Sequence, residues 1–218
     1  MAATDVEPSA AHWFAGYVRD SRLVPIGNGR SLNLYCMGSG SPTVILESGL
    51  TESAYNWWAV QGRIGKLTRV CVYDRAGMGR SPPGPFPRDT KAQVADLEAL
   101  VKAAGLKAPY VLVGHSAGGY NVRLFASRHP REVAGMVFVD SAVENQLSME
   151  KLLPAVAAND KRGIEHLRAC ADPQRSAETA GNCQRKAPED FSPHLAAQYN
   201  SAFGRPIPRP CTRRSTRS

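Results

Sequence analysis

Short apolar runs alternate with helical patterns over the first two thirds of the chain. Between Thr90 and Ala104, apolar residues recur at the spacing of one helix face, which predicts a helix that ends at Gly105. A second helix is predicted from Ala54 to Leu67. Strands that alternate with helices indicate an α/β fold with a doubly wound, mostly parallel sheet. Four runs have the length and composition of buried strands: residues 43–47, 69–73, 110–113 and 133–140.

The segments around this alternating region have different patterns. Two short apolar runs flank Gly27-Asn28-Gly29, which predicts an antiparallel hairpin entering the sheet. After Asn145, amphipathic pieces at 149–158, 162–170 and 193–203 predict a helical cap over the carboxyl edge of the sheet. The chain is therefore divided into a lead-in without assigned structure (1–21), a core (22–145), a cap (146–204) and a disordered Arg/Pro-rich tail (205–218).

Composition and charge argue against two classes of function. The net charge is +8, but five of the 27 basic residues lie in the last fourteen positions. Without those five arginines, 22 basic residues stand against 19 acidic ones, and no basic stripe with interleaved aromatics runs through the body. Nucleic-acid binding is therefore not expected. A membrane span is not expected either, because no apolar run reaches 18 residues.

The five cysteines are too few for a disulfide scaffold. Cys36 and Cys71 lie within strand-like runs and are predicted to be small buried apolar residues. Cys170 and Cys183 flank a short polar stretch, where either a disulfide or two free thiols fits the pattern. Localisation depends on this choice. The lack of a visible signal peptide favours the cytoplasm, whereas the disulfide would favour a periplasmic or secreted protein.

The strongest chemical motif is Gly114-x-Ser116-x-Gly118, at the point where the strand from Tyr110 gives way to a helical pattern. A strand that turns into a helix within a few residues forces the middle residue into a strained conformation and leaves no room for side chains beside it. Ser116 is then exposed at the carboxyl end of the sheet. The helix N-terminus beneath it supplies unpaired N–H groups suited to an oxyanion.

Three other segments strengthen this interpretation. Val44 to Leu50 resembles a strand followed by an oxyanion loop, Val72 to Ser81 resembles the next strand and loop, and Val137 to Asp140 resembles the strand that precedes a cap. Together with the motif around Ser116, they resemble the α/β-hydrolase superfamily, specifically its capped esterase and lipase-like group, over about residues 22–145. The resemblance implies the α/β-hydrolase fold.

The resemblance also implies roles for particular residues. Ser116 is the expected nucleophile, and the backbone N–H groups of Ala117 and Leu50 are the expected oxyanion donors. Asp140 is a candidate triad acid, with the alternative that it only caps a loop. Asp74 and Arg75 are instead expected to hold loops together, because paired charges at the start of loops are commonly structural.

A general base is the missing part of this pattern. The resemblance implies two further strands after the cap, with a catalytic histidine after the last, but residues 204–218 contain no such strand and no histidine. We therefore expect a chain that is truncated or altered near its C-terminus and that lacks this base. The five histidines are His12, His115, His129, His166 and His194.

Two functions remain open at this point. The first is a serine hydrolase that cleaves a small-molecule carboxylic ester through an acyl-enzyme, without a metal or an organic cofactor. The second is an inactive remnant of a hydrolase that serves as a binding or interaction protein. A sheet that lacks its last strands would expose an apolar edge, so self-association through that edge is also expected.

Overall fold

The computed structural model describes residues 9–144, 165, 187–189 and 191–203, and a six-stranded sheet lies at its centre. The strands are β1 (Arg22–Gly27), β2 (Arg30–Met37), β3 (Thr43–Glu47), β4 (Val70–Tyr73), β5 (Tyr110–His115) and β6 (Val133–Val139). Their order across the sheet is β1-β2-β4-β3-β5-β6. The β1–β2 and β2–β4 pairs are antiparallel, and the other pairs are parallel. The predicted mostly parallel sheet with an entering hairpin is confirmed.

Helices cover both faces of the sheet. They are α1 (Ala10–Asp20), a 3-10 turn (Ala54–Trp57) that runs into α2 (Trp58–Gly65), α3 (Thr90–Ala103), α4 (Gly118–Arg128) and α5 (Pro193–Phe203). The helices predicted over 54–67, 90–104 and 193–203 are confirmed. The pieces at 149–158 and 162–170, the tail and the Cys170–Cys183 pair lie outside the described residues, and the domain division stays a prediction.

The central strands are apolar throughout because each of their faces is covered. On β3, Val44 and Leu46 pack in a cluster with α1 and the segment that leads into α2. Ile45, which points to the opposite face, packs with side chains of α3 and α4. A strand buried on both faces reads as a continuous apolar run, and this places the carboxyl ends of β3 and β5 between two helical layers.

Helix α1, to which the sequence assigned no structure, belongs to the core. The Ser9 hydroxyl caps it by accepting from the His12 N–H at 3.1 Å. Phe14 and Tyr17 are fully buried, and the Phe14 ring lies 5.3 Å from that of Tyr199 on α5. The indole N–H of Trp13 donates to Gln61 on α2 at 2.8 Å. Aromatic packing thus joins α1 to α5, and a hydrogen bond joins α1 to α2, on one face of the sheet.

The strand predicted at 133–140 is present as β6, but the prediction that it is buried is wrong. Met136, Val137, Phe138 and Val139 are 41–49% exposed, so apolar side chains on both of its faces reach the surface. One edge of β6 pairs with β5, and within the described residues no strand pairs with the other edge. Apolar composition does not distinguish a central strand from an edge strand, which is why the sequence misled here.

The prediction that Cys36 and Cys71 are separate buried apolar residues is also wrong. The two residues stand directly opposite each other in the antiparallel β2–β4 pair and form a disulfide, with their Cα atoms 4.1 Å apart. Both were correctly expected to lie in strands. The register that brings them face to face involves β2 and β4, which are separated along the chain, so single-strand patterns do not reveal it.

Candidate active site

Ser116 stands at the junction of β5 and α4 in a left-handed backbone conformation, with φ of +49°. The flanking glycines are required by close backbone packing, as the sequence predicts. A Cβ on Gly118 would lie 2.6 Å from the Glu47 carbonyl oxygen, and one on Gly114 would lie 2.8 Å from the side chain of Val122. These contacts press the turn against β3 and against its own helix. The tight strand-to-helix turn expected of a nucleophile elbow is therefore present.

Strained backbone positions gather around this turn. Four non-glycine residues in the described part of the chain have positive φ: Asn28, Thr51, Ser116 and Asp140. Asn28 belongs to the β1–β2 hairpin, where such a conformation is ordinary. Thr51 follows β3, and Asp140 follows β6, the strand that pairs with β5. Holding a non-glycine residue in the left-handed backbone conformation costs free energy, and such residues tend to cluster at functional sites.

The loop that follows β3 is held in place from both sides. On one side, the buried guanidinium of Arg75 donates to the carbonyl oxygens of Ser48 and Gly49. On the other side, the Gly49 N–H donates to the Glu52 carboxylate at 2.6 Å. The Leu50 side chain is exposed, and within the described residues its backbone N–H has no acceptor. Leu50 therefore presents a free N–H on a fixed loop.

The second expected donor lies at the start of α4. Ala117 is the N-cap of that helix, and no acceptor for its backbone N–H occurs in the described part of the structure. Unpaired N–H groups at a helix N-terminus carry partial positive charge, which favours an oxyanion. The Ser116 hydroxyl likewise has no hydrogen-bond partner within the described residues.

Glu47 is the buried charge beneath the site and is fully inaccessible at the end of β3. Its carboxylate pairs with Arg75 at 2.7 Å, accepts from Asn121 of α4 at 2.8 Å, and accepts from the Tyr73 hydroxyl of β4. Burial lowers the pKa of Arg75, but its interactions with Glu47, Tyr73 and Glu52 together outweigh burial, and the pKa is raised. Arg75 thus stays charged while it holds the loop after β3.

Asp74 forms a second buried centre at the end of β4. Its carboxylate accepts from the Ala54 N–H at 2.9 Å, from the Asn33 amide at 2.9 Å and from the Tyr17 hydroxyl. Burial raises the pKa of Asp74, although these hydrogen bonds oppose the shift. The expectation that Asp74 and Arg75 hold loops together is confirmed by their contacts.

Asp140 lies beside the elbow, with an exposed side chain. The Ser116 N–H donates to the carbonyl oxygen of the preceding Val139 at 3.2 Å, and the Ala142 N–H donates to the Ser116 carbonyl oxygen at 2.9 Å. The segment that contains Asp140 is therefore fastened to Ser116 by its backbone. Asp140 forms no hydrogen bond or ion pair within the described residues, so its role as a triad acid stays a prediction.

The described histidines do not hydrogen bond to Ser116. His12 is exposed on α1, and His194 is exposed on α5. His129 lies between Glu98 and Glu132, with Nε2 3.1 Å from the former and Nδ1 3.3 Å from the latter. His166 lies outside the described residues, and His115 forms a pair with Glu52.

The Glu52–His115 pair is a contact at the candidate site that the sequence did not reveal. Nδ1 of His115 lies 2.8 Å from the Glu52 carboxylate, which places a carboxylate–imidazole pair next to both the elbow and the loop after β3. The two residues are 63 positions apart. The only sequence signal was that His115 ends one strand and Glu52 follows another, and that both strands end at the same edge of a parallel sheet.

An apolar cleft of about 130 Å³ opens beside the same loop, and Leu50, Met78 and Phe86 are among the residues that line it. Within the described ranges, no group of three or more His, Cys, Asp or Glu side chains could hold a metal ion. No helix in those ranges is both long enough and apolar enough to cross a membrane.

Comparison with known proteins places this geometry in a family. The family model described as "alpha/beta hydrolase fold" matches residues 42–206. The uncharacterized protein YqjL of Bacillus subtilis (strain 168) is 36% identical over 106 residues, which cover 49% of this chain and 42% of YqjL. An AB hydrolase superfamily protein of Gibberella zeae is 37% identical over 107 residues, 47% of this chain and 33% of that protein. The chain thus aligns with less than half the length of either relative.

A solved structure shows the same fold. The haloalkane dehalogenase DatA from Agrobacterium tumefaciens C58 superposes with a TM-score of 0.59 over 87% of this chain and 63% of that chain. The two sequences are 20% identical, so this likeness concerns the fold alone. Taken with the family match over more than half of the chain, the architecture and the family agree.

Proposed function

The chain belongs to the α/β-hydrolase fold family, and from this premise we propose that it is a serine hydrolase acting on a small-molecule carboxylic ester. The observation that carries the proposal is the strained Ser116 at the β5–α4 junction. Its hydroxyl has no partner within the described residues, and the N–H groups of Ala117, the next residue, and of Leu50, on the loop after β3, are free there. Such a serine, with preorganised donors nearby, suits acyl transfer.

The proposed reaction has two steps. Ser116 Oγ forms a bond to the ester carbonyl carbon while a base takes the hydroxyl proton, and the N–H groups of Ala117 and Leu50 stabilise the oxyanion. No described histidine hydrogen bonds to Ser116, so a base outside the described contacts, or water, takes this proton and the reaction is expected to be slow. When the intermediate collapses, the bond from the carbonyl carbon to the alcohol oxygen breaks, and the alcohol leaves with the proton. Water then adds to the acyl-enzyme, which releases the acid and returns a proton to Ser116.

The cleft beside Leu50 supports a substrate with a compact apolar group. Its volume of about 130 Å³ is comparable to an engineered cavity of about 150 Å³ that accommodates benzene. Leu50 contributes its side chain to this cleft, and its N–H is the proposed oxyanion donor. We therefore propose that a small aromatic or branched aliphatic part of the ester lies there.

Labelling with a fluorophosphonate probe tests the nucleophile. We expect the wild-type protein to be labelled and Ser116→Ala to lose the label entirely. Ser127→Ala removes an exposed hydroxyl of α4 that donates only to its own helix, at 2.8 Å to the Leu124 carbonyl oxygen, and should label like the wild type. If Asp140 is the triad acid, Asp140→Asn should slow labelling at least about tenfold.

The same experiment distinguishes the alternative function. The alternative is an inactive hydrolase remnant that binds a partner. The observation in its favour is the exposed apolar side chains of β6. Absence of labelling in protein that melts cooperatively would support this alternative and overturn the hydrolase proposal. Labelling that persists in Ser116→Ala would show that another residue is the nucleophile.

A further inference from the structure

The Glu52 carboxylate joins the loop after β3 to the elbow. One of its oxygens, Oε2, accepts from the Gly49 N–H at 2.6 Å and lies 2.8 Å from Nδ1 of His115, the residue before Ser116. The Glu52 backbone N–H donates to the Gly49 carbonyl oxygen at 3.1 Å. Residue 52 thus closes the turn through both its backbone and its side chain. It also ties that turn to the strand that carries the nucleophile.

The turn leaves one donor open. The Arg75 guanidinium donates to the carbonyl oxygens of Ser48 and Gly49, and the Glu52 carboxylate accepts from the Gly49 N–H. In the described structure, the Leu50 N–H that follows is left without an acceptor. With its neighbours fixed in this way, Leu50 N–H is held in a single orientation rather than sampling several.

Packing at Gly49 shows that the arrangement is close. A Cβ at this position would lie 2.8 Å from Oε2 of Glu52 and 3.0 Å from Nδ1 of His115. The Glu52 side chain is only 17% exposed, so its carboxylate is held mainly by protein hydrogen bonds rather than solvated by water. The charge of Glu52 is also offset by Arg75, whose pKa it helps to raise. A carboxylate at this place therefore need not repel an oxyanion strongly.

We propose that Glu52 is a positioning residue of the hydrolase site: by binding the Gly49 N–H and His115 together, it orients the Leu50 N–H toward the oxyanion. This inference rests on the proposed function of Ser116. Glu52 does not touch the reacting atoms. Its effect passes through the backbone of residues 49 and 50, so it should alter the rate of the chemical step more than the binding of substrate.

The test compares Glu52→Ala with Glu52→Gln. The amide of Gln retains an oxygen that can accept from the Gly49 N–H, whereas Ala removes every contact. With a p-nitrophenyl ester, Glu52→Ala should lower kcat about 10- to 100-fold with little change in KM, because one oxyanion donor is misplaced. Glu52→Gln should stay within about threefold of the wild type.

A matched control is available on the surface. Glu98 also pairs with a histidine, His129 Nε2 at 3.1 Å, but on α3, and its contacts involve none of the site residues. Glu98→Ala should leave kcat and KM unchanged. It removes the same kind of carboxylate–imidazole contact, so it separates an effect of position from a general effect of losing a surface charge.

A second measurement does not depend on activity. In ¹H–¹⁵N spectra of the folded proteins, the Gly49 amide proton should lie downfield in the wild type and move upfield in Glu52→Ala, with a shift of the Leu50 signal alongside it. A Glu52→Ala protein that keeps the wild-type kcat, or one in which only KM rises, overturns the inference.

Failure of the hydrolase proposal would look different. If the wild type itself does not react with the ester or the fluorophosphonate, the spectra decide. Unmoved Gly49 and Leu50 signals in Glu52→Ala overturn the positioning role. Displaced signals support Glu52 as the residue that orients the loop, even though the assigned chemistry would then be wrong.

Discussion

At the residue scale, the candidate site depends on positions where a side chain would not fit. Gly118 begins α4 so close to β3 that a Cβ there would lie 2.6 Å and 2.7 Å from the carbonyl oxygens of Glu47 and Ser48. Both contacts are backbone atoms, which cannot turn away as a flexible side chain can. Packing at Gly118 therefore fixes how closely the elbow approaches the loop after β3.

We expect Gly118→Ala to destabilise the protein by about 1–3 kcal/mol, because the added methyl group forces the elbow away from β3. Gly135→Ala is the matched control. Among the described residues, a Cβ at Gly135 on β6 meets nothing within 4 Å, and alanine there should be neutral or slightly stabilising. Urea unfolding of both variants measures the difference. Equal midpoints for the two would show that the elbow does not need the close approach.

At the scale of elements, helix and strand periods predicted most of the described fold. The helix at 90–104 can be predicted because one of its faces is apolar and packs on the sheet. The strand at 43–47 can be predicted because all of its residues are buried between helical layers. Helix α1 was not recognised, because its aromatics are explained by distant partners: Phe14 packs on Tyr199, and Tyr17 donates to Asp74. Local patterns carry no information on such contacts.

In the candidate site too, local features can be predicted from the sequence and long-range contacts cannot. Ser116 and its glycines could be read from the motif, since the strand-to-helix turn is a local requirement. The Glu52–His115 pair could not, because it joins a side chain of the loop after β3 to the last residue of β5. The Cys36–Cys71 disulfide was missed for a related reason: it depends on the register between β2 and β4.

The disulfide leads to a prediction about the sheet. Cys36 and Cys71 are separated by 35 positions, and closing a loop of that length stabilises the folded state by about 3–4 kcal/mol in the chain-entropy model. We expect the double variant Cys36→Ala/Cys71→Ala to lose stability of that order. Adding dithiothreitol should lower the Tm of the wild type by more than that of the double variant. An equal response of the two would contradict the bond.

At the scale of the whole molecule, the two ends of the sheet differ in the apolar surface that they expose. At the β1 end, the hairpin covers the outer strand of the parallel set. At the β6 end, apolar side chains on both faces are exposed, and the outer edge is unpaired within the described part of the chain. Exposed edges of this kind are a common route to association between chains.

Self-association through β6 stays a prediction, and concentration-dependent light scattering after size-exclusion chromatography tests it. We expect the wild type to form dimers or larger species and Val137→Lys, at a position 49% exposed, to shift the protein toward monomer. Leu67→Lys changes an isolated residue that is 86% exposed, and it should leave the distribution unchanged. A wild type that is monomeric at all concentrations would contradict the prediction.

The contact between Tyr17 and Asp74 has a practical consequence for engineering this chain. Asp74 also binds Asn33 and the Ala54 N–H, so helix α1 shares one buried carboxylate with the hairpin and with the segment leading into α2. Trimming the chain to begin at β1 would remove one donor from that carboxylate and uncover an aromatic layer. Libraries and fusions of this domain should therefore start before Ser9.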